Sequence, residues 1–189
     1  DCPDLVHDMT EFLADFVLRV MRRALDEIPD IDFGSVWEDM AMKTGSLISP
    51  RLFRDFMLAP LQRVTRTLGQ TGIRIIMVDS DGNVDELIPL WLEANVNLIY
   101  PMEVAAGCDA LACRRRHGKQ LLLMGNIDKR VLRDGCTRAQ IEQEVAARVP
   151  QLVAEGGFSP MVDHAVPPDV PFANFKHYLD LVQEICTAR

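Results

Sequence analysis

Apolar positions along the chain follow two rhythms that alternate. Residues 3 to 28 show helical spacing, with Leu5, Val6, Met9, Phe12, Leu13, Phe16 and Val17 on one face and Pro3 suited to a first turn. A short apolar run from Phe33 to Trp37 reads as a strand. The stretch from Ile48 to Gln70 reads as a second helix, with Ser49 as N-cap, Pro50 as first helical residue and Gly69 closing it. Beyond it the alternation is regular. Strands are predicted at IRIIMV (73–78), VNLIYP (96–101), QLLLMGN (120–126) and FSPMVDH (158–164). The intervening stretches predict a helix over 84–94, a short helix and loop over 104–118, a long helix over 136–156 started by Thr137, and a closing helix over 172–186. Short continuous apolar strands separated by amphipathic helices indicate an α/β fold, with a parallel sheet covered by helices.

The ends of these strands carry the chemistry. Each finishes in polar residues: Glu38 and Asp39, then Asp79 and Asp81, then Glu103, then Asn126 and Asp128, then Asp163 and His164. Asp and Asn are ordinary turn residues. Five strands in succession ending this way, with several carboxylates and one histidine, point to a shared rim where parallel sheets collect their active groups. Glu38, Asp39, Asp79, Asp81, Glu103, Asn126 and His164 are the candidate site residues of that rim. A turn after Val78 is expected to bring Asp79 and Asp81 together. The run Arg114-Arg115-Arg116-His117 reads as a solvated loop.

Composition narrows the setting. At 189 residues, 48% of them hydrophobic, the chain suits one domain with a substantial core. A net charge of -8 argues against nucleic acid or an anionic membrane as main partner. No apolar run approaches the roughly 18 residues that span a bilayer, and the first residues lack the pattern of a secretory signal. Cys2, Cys108, Cys113, Cys136 and Cys186 are odd in number and irregular in spacing, which suits reduced thiols and a cytoplasmic location. Cys108 and Cys113, with His117 nearby, are too isolated from other Cys or His pairs to read as a zinc site.

Four stretches resemble the uroporphyrinogen decarboxylase superfamily, which also contains methyltransferases that work with corrinoid proteins and coenzyme M. They are WEDMAMKTGSLISPRLFRDFMLAP, VDSDGNVDELIP, LLLMGNIDKRVL and MVDHAVPPDVPFANF, in family order across nearly the whole chain. The most specific part is GNID with a leucine four residues later, followed by the histidine after the last strand. The resemblance implies a (β/α)₈ TIM barrel, of which this chain matches strands four to eight. The fold expected is therefore a partial barrel lacking its first three strand–helix units, completed by more chain, by another chain or by a homodimer partner.

The resemblance also distributes roles. Decarboxylases of the family need no cofactor, and the aspartate and arginines that hold their tetrapyrrole lie in the part of the barrel not matched here. His164 matches the family histidine, which implies proton transfer or binding of a substrate carboxylate, although its setting is Asp163-His164-Ala165 rather than Gly-His-Gly. Asp81-Gly82 matches an Asp-Gly pair common in the decarboxylases, which makes Asp81 the second catalytic candidate. Glu38 and Asp39 match a pocket-lining pair in which Asp39 replaces a hydroxyl residue, and a carboxylate there repels an acidic porphyrinogen. The family loop of Gly125, Asn126 and Asp128 implies a backbone-tying role, and Lys129 stands where decarboxylases carry proline. The methyltransferases hold zinc with His-x-Cys-Gly and a later cysteine; here those positions read Asp79-Ser80-Asp81-Gly82 and Asp163-His164. An oxygen-rich divalent, zinc-like site would use Asp79, Asp81, His164 and Glu103. Three readings follow: a carbon–carbon lyase of the decarboxylase type; a methyltransferase passing a methyl group from a small methylated compound to a corrinoid protein; an inactive or accessory subunit.

Overall fold

A computed structural model describes residues 1–188. The elements run α1 (Pro3–Glu27), β1 (Phe33–Trp37), β2 (Ala41–Met42), β3 (Gly45–Ser46), α2 (Pro50–Phe56), α3 (Leu58–Gln70), β4 (Ile75–Asp79) and α4 (Ile88–Glu93). They continue through β5 (Leu98–Tyr100), α5 (Ala110–His117), β6 (Leu122–Ile127), α6 (Arg138–Ala146), α7 (Val149–Glu155), β7 (Phe158–Val162) and α8 (Phe172–Thr187). β1, β4, β5, β6 and β7 form one sheet in that order, every neighbouring pair parallel. Each is followed by a helix, so the molecule is a partial (β/α)₈ barrel. β2 and β3 form a small separate hairpin that the hydrophobic pattern did not announce.

Strand alternation divides the sheet into two faces. Ile76, Val78, Ile99 and Leu123 are buried on the helix side, against Leu61, Leu68, Ile88, Trp91 and Leu152. A second apolar cluster joins Ile127 and Val162 to Ile141, Val145, Val149 and Tyr178 beneath α6, α7 and α8. The other face of the sheet stays open, with Phe33, Ile75 and Trp37 all exposed. Among the described residues no helix is long and apolar enough to cross a membrane.

Helix α1 runs as expected, and three other helical expectations need correction. The face of α1 formed by Leu5, Val6, Met9, Phe12, Leu13 and Phe16 is exposed, and the helix buries only Ala14 and Leu18. The single helix expected over 48–70 breaks at Met57 into α2 and α3, and the long helix over 136–156 breaks at Ala147 and Arg148 into α6 and α7. The cause is the same in both. A proline ring clashes with the carbonyl four residues earlier; Pro60 stops α2 at Phe56, and Pro150 stops α6 at Ala146. The helix expected over 84–94 is regular only from Ile88.

The basic run is helical rather than a loop, and Arg114 is buried. Its guanidinium donates to the carbonyls of Gly118 and Leu121, both at 2.9 Å, and to those of Gly156 and Gly157 at 3.0 and 2.9 Å. These carbonyls sit where α5 and α7 end and the chain turns into β6 and β7. A planar fork of donors is the side chain that satisfies several such groups at once.

Candidate functional site

Register places the first site residues. Trp37 pairs with Asp79 across β1 and β4, and Asp79 pairs with Tyr100 across β4 and β5. Val78 points into the helix layer, so these three side chains share the open face at the C-terminal edge. Ser80 carries the pattern one residue further: its N–H donates to the Tyr100 carbonyl at 3.0 Å and the residue is buried. Asp81 therefore returns to the same face as Asp79. The turn expected to unite them is unnecessary, because residues two apart in extended chain already do so.

Trp37, Asp39, Asp79, Asp81, Tyr100, Pro101, His164 and Ala165 line a cavity of about 190 Å³. Within it, His164 Nε2 lies 3.1 Å from Asp81 Oδ2. The Ala165 N–H donates to His164 Nδ1 at 2.9 Å. With Nδ1 occupied as an acceptor, the proton of a neutral imidazole sits on Nε2 and points at the carboxylate. Asp39 braces the pair: its Oδ1 accepts from the Asp81 N–H at 3.3 Å and its Oδ2 from the Trp37 indole at 3.0 Å.

Electrostatics separate the carboxylates. Burial pushes Asp79 above the ordinary aspartate range, the charges of Asp81 and Asp39 push it further, and His164 opposes them. Both upward effects favour the protonated form of Asp79. Burial, then the charges of Asp79, Asp81 and Asp163, raise the Tyr100 hydroxyl, which stays a donor. Among the described residues no lysine or arginine lines the cavity.

The other expected site residues lie elsewhere. Glu38 faces the α1–α3 side and lines a different groove. Its carboxyl is raised by burial, with the Trp91 indole opposing in part, although Glu38 Oε2 and Trp91 Nε1 both lack a hydrogen bond of normal geometry. Glu103 is held by the backbone, accepting from the Gly82 N–H at 3.0 Å. Asn126 is fully buried; its amide donates to the carbonyls of Met102 and Cys108 and accepts from the Ala110 N–H. Beside it Gly125 is irreplaceable, since a Cβ there would stand 1.9 Å from the Pro101 carbonyl oxygen. Asp128 is bonded to Arg130, whose contacts overcome the effect of burial and lower the carboxyl.

Among the described residues no three His, Cys, Asp or Glu side chains come together as a metal site. Of the expected ligand set Asp79, Asp81, His164 and Glu103, the Glu103 carboxylate is turned to the Gly82 backbone rather than to the other three.

Sequence reasoning missed Trp37 and Tyr100 as site residues, since only strand register brings them to Asp79. It also left Asp163 without a role. A larger cleft of about 590 Å³, lined by residues such as Arg66, Arg74 and Asn97, opens at the N-terminal ends of the strands, away from the carboxylates.

Comparison with known proteins adds a lineage. The family model described as uroporphyrinogen decarboxylase (URO-D) matches residues 1–185. A uroporphyrinogen decarboxylase of Psychromonas ingrahamii is 25% identical over 197 residues, covering 97% of this chain and 49% of the relative. One from Legionella pneumophila is 27% identical over 144 residues, covering 75% of this chain and 39% of the relative. The chain thus spans half or less of the length of these relatives. Among solved structures, a methyltransferase from Methanosarcina mazei matches with a TM-score of 0.56 at 19% identity, over 81% of this chain and 42% of that one, a likeness of fold.

Proposed function

Since the chain belongs to the uroporphyrinogen decarboxylase (URO-D) family, we propose that its rim serves a decarboxylase-type carbon–carbon lyase, with Asp81 and His164 moving the proton. The observation that supports this most is the His164 Nε2–Asp81 contact of 3.1 Å beside Asp79, whose carboxyl is pushed up by burial. Decarboxylation exchanges carbon dioxide for a proton. Protonation of an electron-rich, N–H-bearing ring creates a cation. The bond to the carboxylate then breaks, its electron pair flows into the ring and carbon dioxide leaves. The carbon that lost it is protonated, and the first proton returns to its base. In this reading His164 and Asp81 deliver and take back the protons, and Asp39 and Asp79 stabilise the developing positive charge.

Among the described residues the cavity lining holds no lysine or arginine, which supports a preference for ligands without many acidic groups at this point. A polyacidic ligand would be held by groups outside this lining, and the rim itself suits the N–H edge of a ring. The test is release of carbon dioxide from uroporphyrinogen and from smaller pyrrole carboxylic acids, compared between wild type, Asp81→Asn and His164→Gln. Both variants are expected to lose about 10²–10⁴-fold in rate. Full activity in either would overturn the reading.

One feature favours a second reading. Trp37 and Tyr100 flank three carboxylates, an arrangement that suits a small methylated ammonium ion. A methyltransferase passing that methyl group to a corrinoid protein would bind such a cation here. Binding of tetramethylammonium with no pyrrole turnover would move the assignment to it. Neither binding nor turnover would leave the accessory-subunit reading.

A further inference from the structure

We propose that the Asp81–His164 pair is held in alignment by a closed ring of contacts through three strand-end loops, with Asp163 and Glu103 as positioning residues. The inference rests on the reading of that pair as the functional centre. The ring can be followed atom by atom. His164 Nε2 meets Asp81 Oδ2 at 3.1 Å. The next residue, Gly82, donates its N–H to Glu103 Oε2 at 3.0 Å. The residue after that glutamate, Val104, donates its N–H to Asp163 Oδ2 at 2.8 Å. Asp163 is bonded covalently to His164, and the circuit is complete.

Three hydrogen bonds and three adjacent residue pairs thus join the loops after β4, β5 and β7. The loop after β6 is tied in as well, since the Lys129 N–H donates to Asp163 Oδ1 at 3.1 Å. Asp163 is fully buried and lines no part of the cavity. A buried carboxylate is costly unless its oxygens are occupied. Those of Asp163 are occupied by the backbones of two neighbouring strand-end loops, with Lys129 Nζ at 4.0 Å as the nearby cation. Its placement fixes His164 through the backbone, and Glu103 does the same for Asp81.

The two carboxylates differ in a way that separates this proposal from simple loss of stability. Only one oxygen of Glu103 is used in the ring, so Glu103→Gln keeps an acceptor while Glu103→Ala removes it. Both oxygens of Asp163 accept from N–H groups, so Asp163→Asn turns an NH₂ toward one of those donors. The readout is nuclear magnetic resonance of the 189-residue chain at alkaline pH: the His164 ring-nitrogen shifts, and the Overhauser contacts between the imidazole and the Asp81 β-protons. Wild type and Glu103→Gln are expected to show an Nε2-protonated ring in contact with Asp81. Glu103→Ala and Asp163→Asn are expected to lose that contact and to give the averaged shifts of an unrestrained imidazole. Wild-type shifts and contacts in folded Glu103→Ala would overturn the ring, as would Glu103→Gln behaving like Glu103→Ala. Should Asp163→Asn fail to fold, the two Glu103 variants decide the matter. None of these measurements needs turnover, so an inactive chain would count against the lyase reading alone.

Discussion

At the scale of single residues, Glu38 and Asp79 show how position decides the behaviour of similar groups. Both follow from strand ends, yet Asp79 opens onto the cavity while Glu38 is pressed toward Trp91. Burial binds the Glu38 proton more tightly in the folded chain than in the unfolded one. The folded state is therefore increasingly penalised as pH rises from the ordinary glutamate range through the raised value. Glu38→Gln carries no charge at any pH. Its stability relative to wild type is expected to improve between about pH 4 and about pH 8 in urea unfolding; an equal offset at both values would contradict the burial argument. The sequence showed both carboxylates at the rim. It could not show that Glu38 turns away, because that depends on which face of β1 the helices cover.

Elements were legible where local chemistry decides them and illegible where distant packing does. All five sheet strands fall within two or three residues of their apolar runs, since buried parallel strands must be continuously apolar. Ser49 and Thr137 cap helices as expected, each accepting from the backbone of its own first turn. The two helix breaks are also present in the sequence, at Pro60 and Pro150, where the longer apolar rhythm runs through them. Arg114 was not legible: its neighbours in the chain are charged, and its four carbonyl partners come from segments that meet only in the fold. Arg114→Met keeps the apolar stem and removes the donors. It is expected to destabilise the chain by about 3 kcal/mol by leaving several buried carbonyls unpaired. Arg114→Lys would fall between the two. Urea unfolding within 0.5 kcal/mol or so of wild type would show that those carbonyls find other partners.

For the whole molecule, the open sheet face and the outer face of α1 dominate solution behaviour. Phe12, Phe16, Phe33 and Trp37 are all more than half exposed, and β1 offers an unpaired edge among the described residues. Contiguous apolar surface and free strand edges drive association. The 189-residue chain is expected to self-associate with rising concentration in sedimentation velocity, and Phe12→Glu to reduce it. A monodisperse monomer across the concentration range would show that these faces satisfy themselves. Helical periodicity identified the apolar side of α1 but could not say what covers it, because a hydrophobic stripe looks the same whether its partner is near or absent.

The two tryptophans of the chain have opposite surroundings, and this makes the protein its own optical gauge. Trp91 is sealed in the core, with none of its surface exposed, and is expected to emit toward the blue. Trp37 is 79% exposed at the cavity mouth, and its emission is expected to be shifted toward the red by water. A molecule entering the cleft dims or shifts the red component and leaves the blue one untouched. Unfolding does the reverse, carrying the blue emission into the red. One spectrum therefore reports occupancy and integrity on separate channels, without any label.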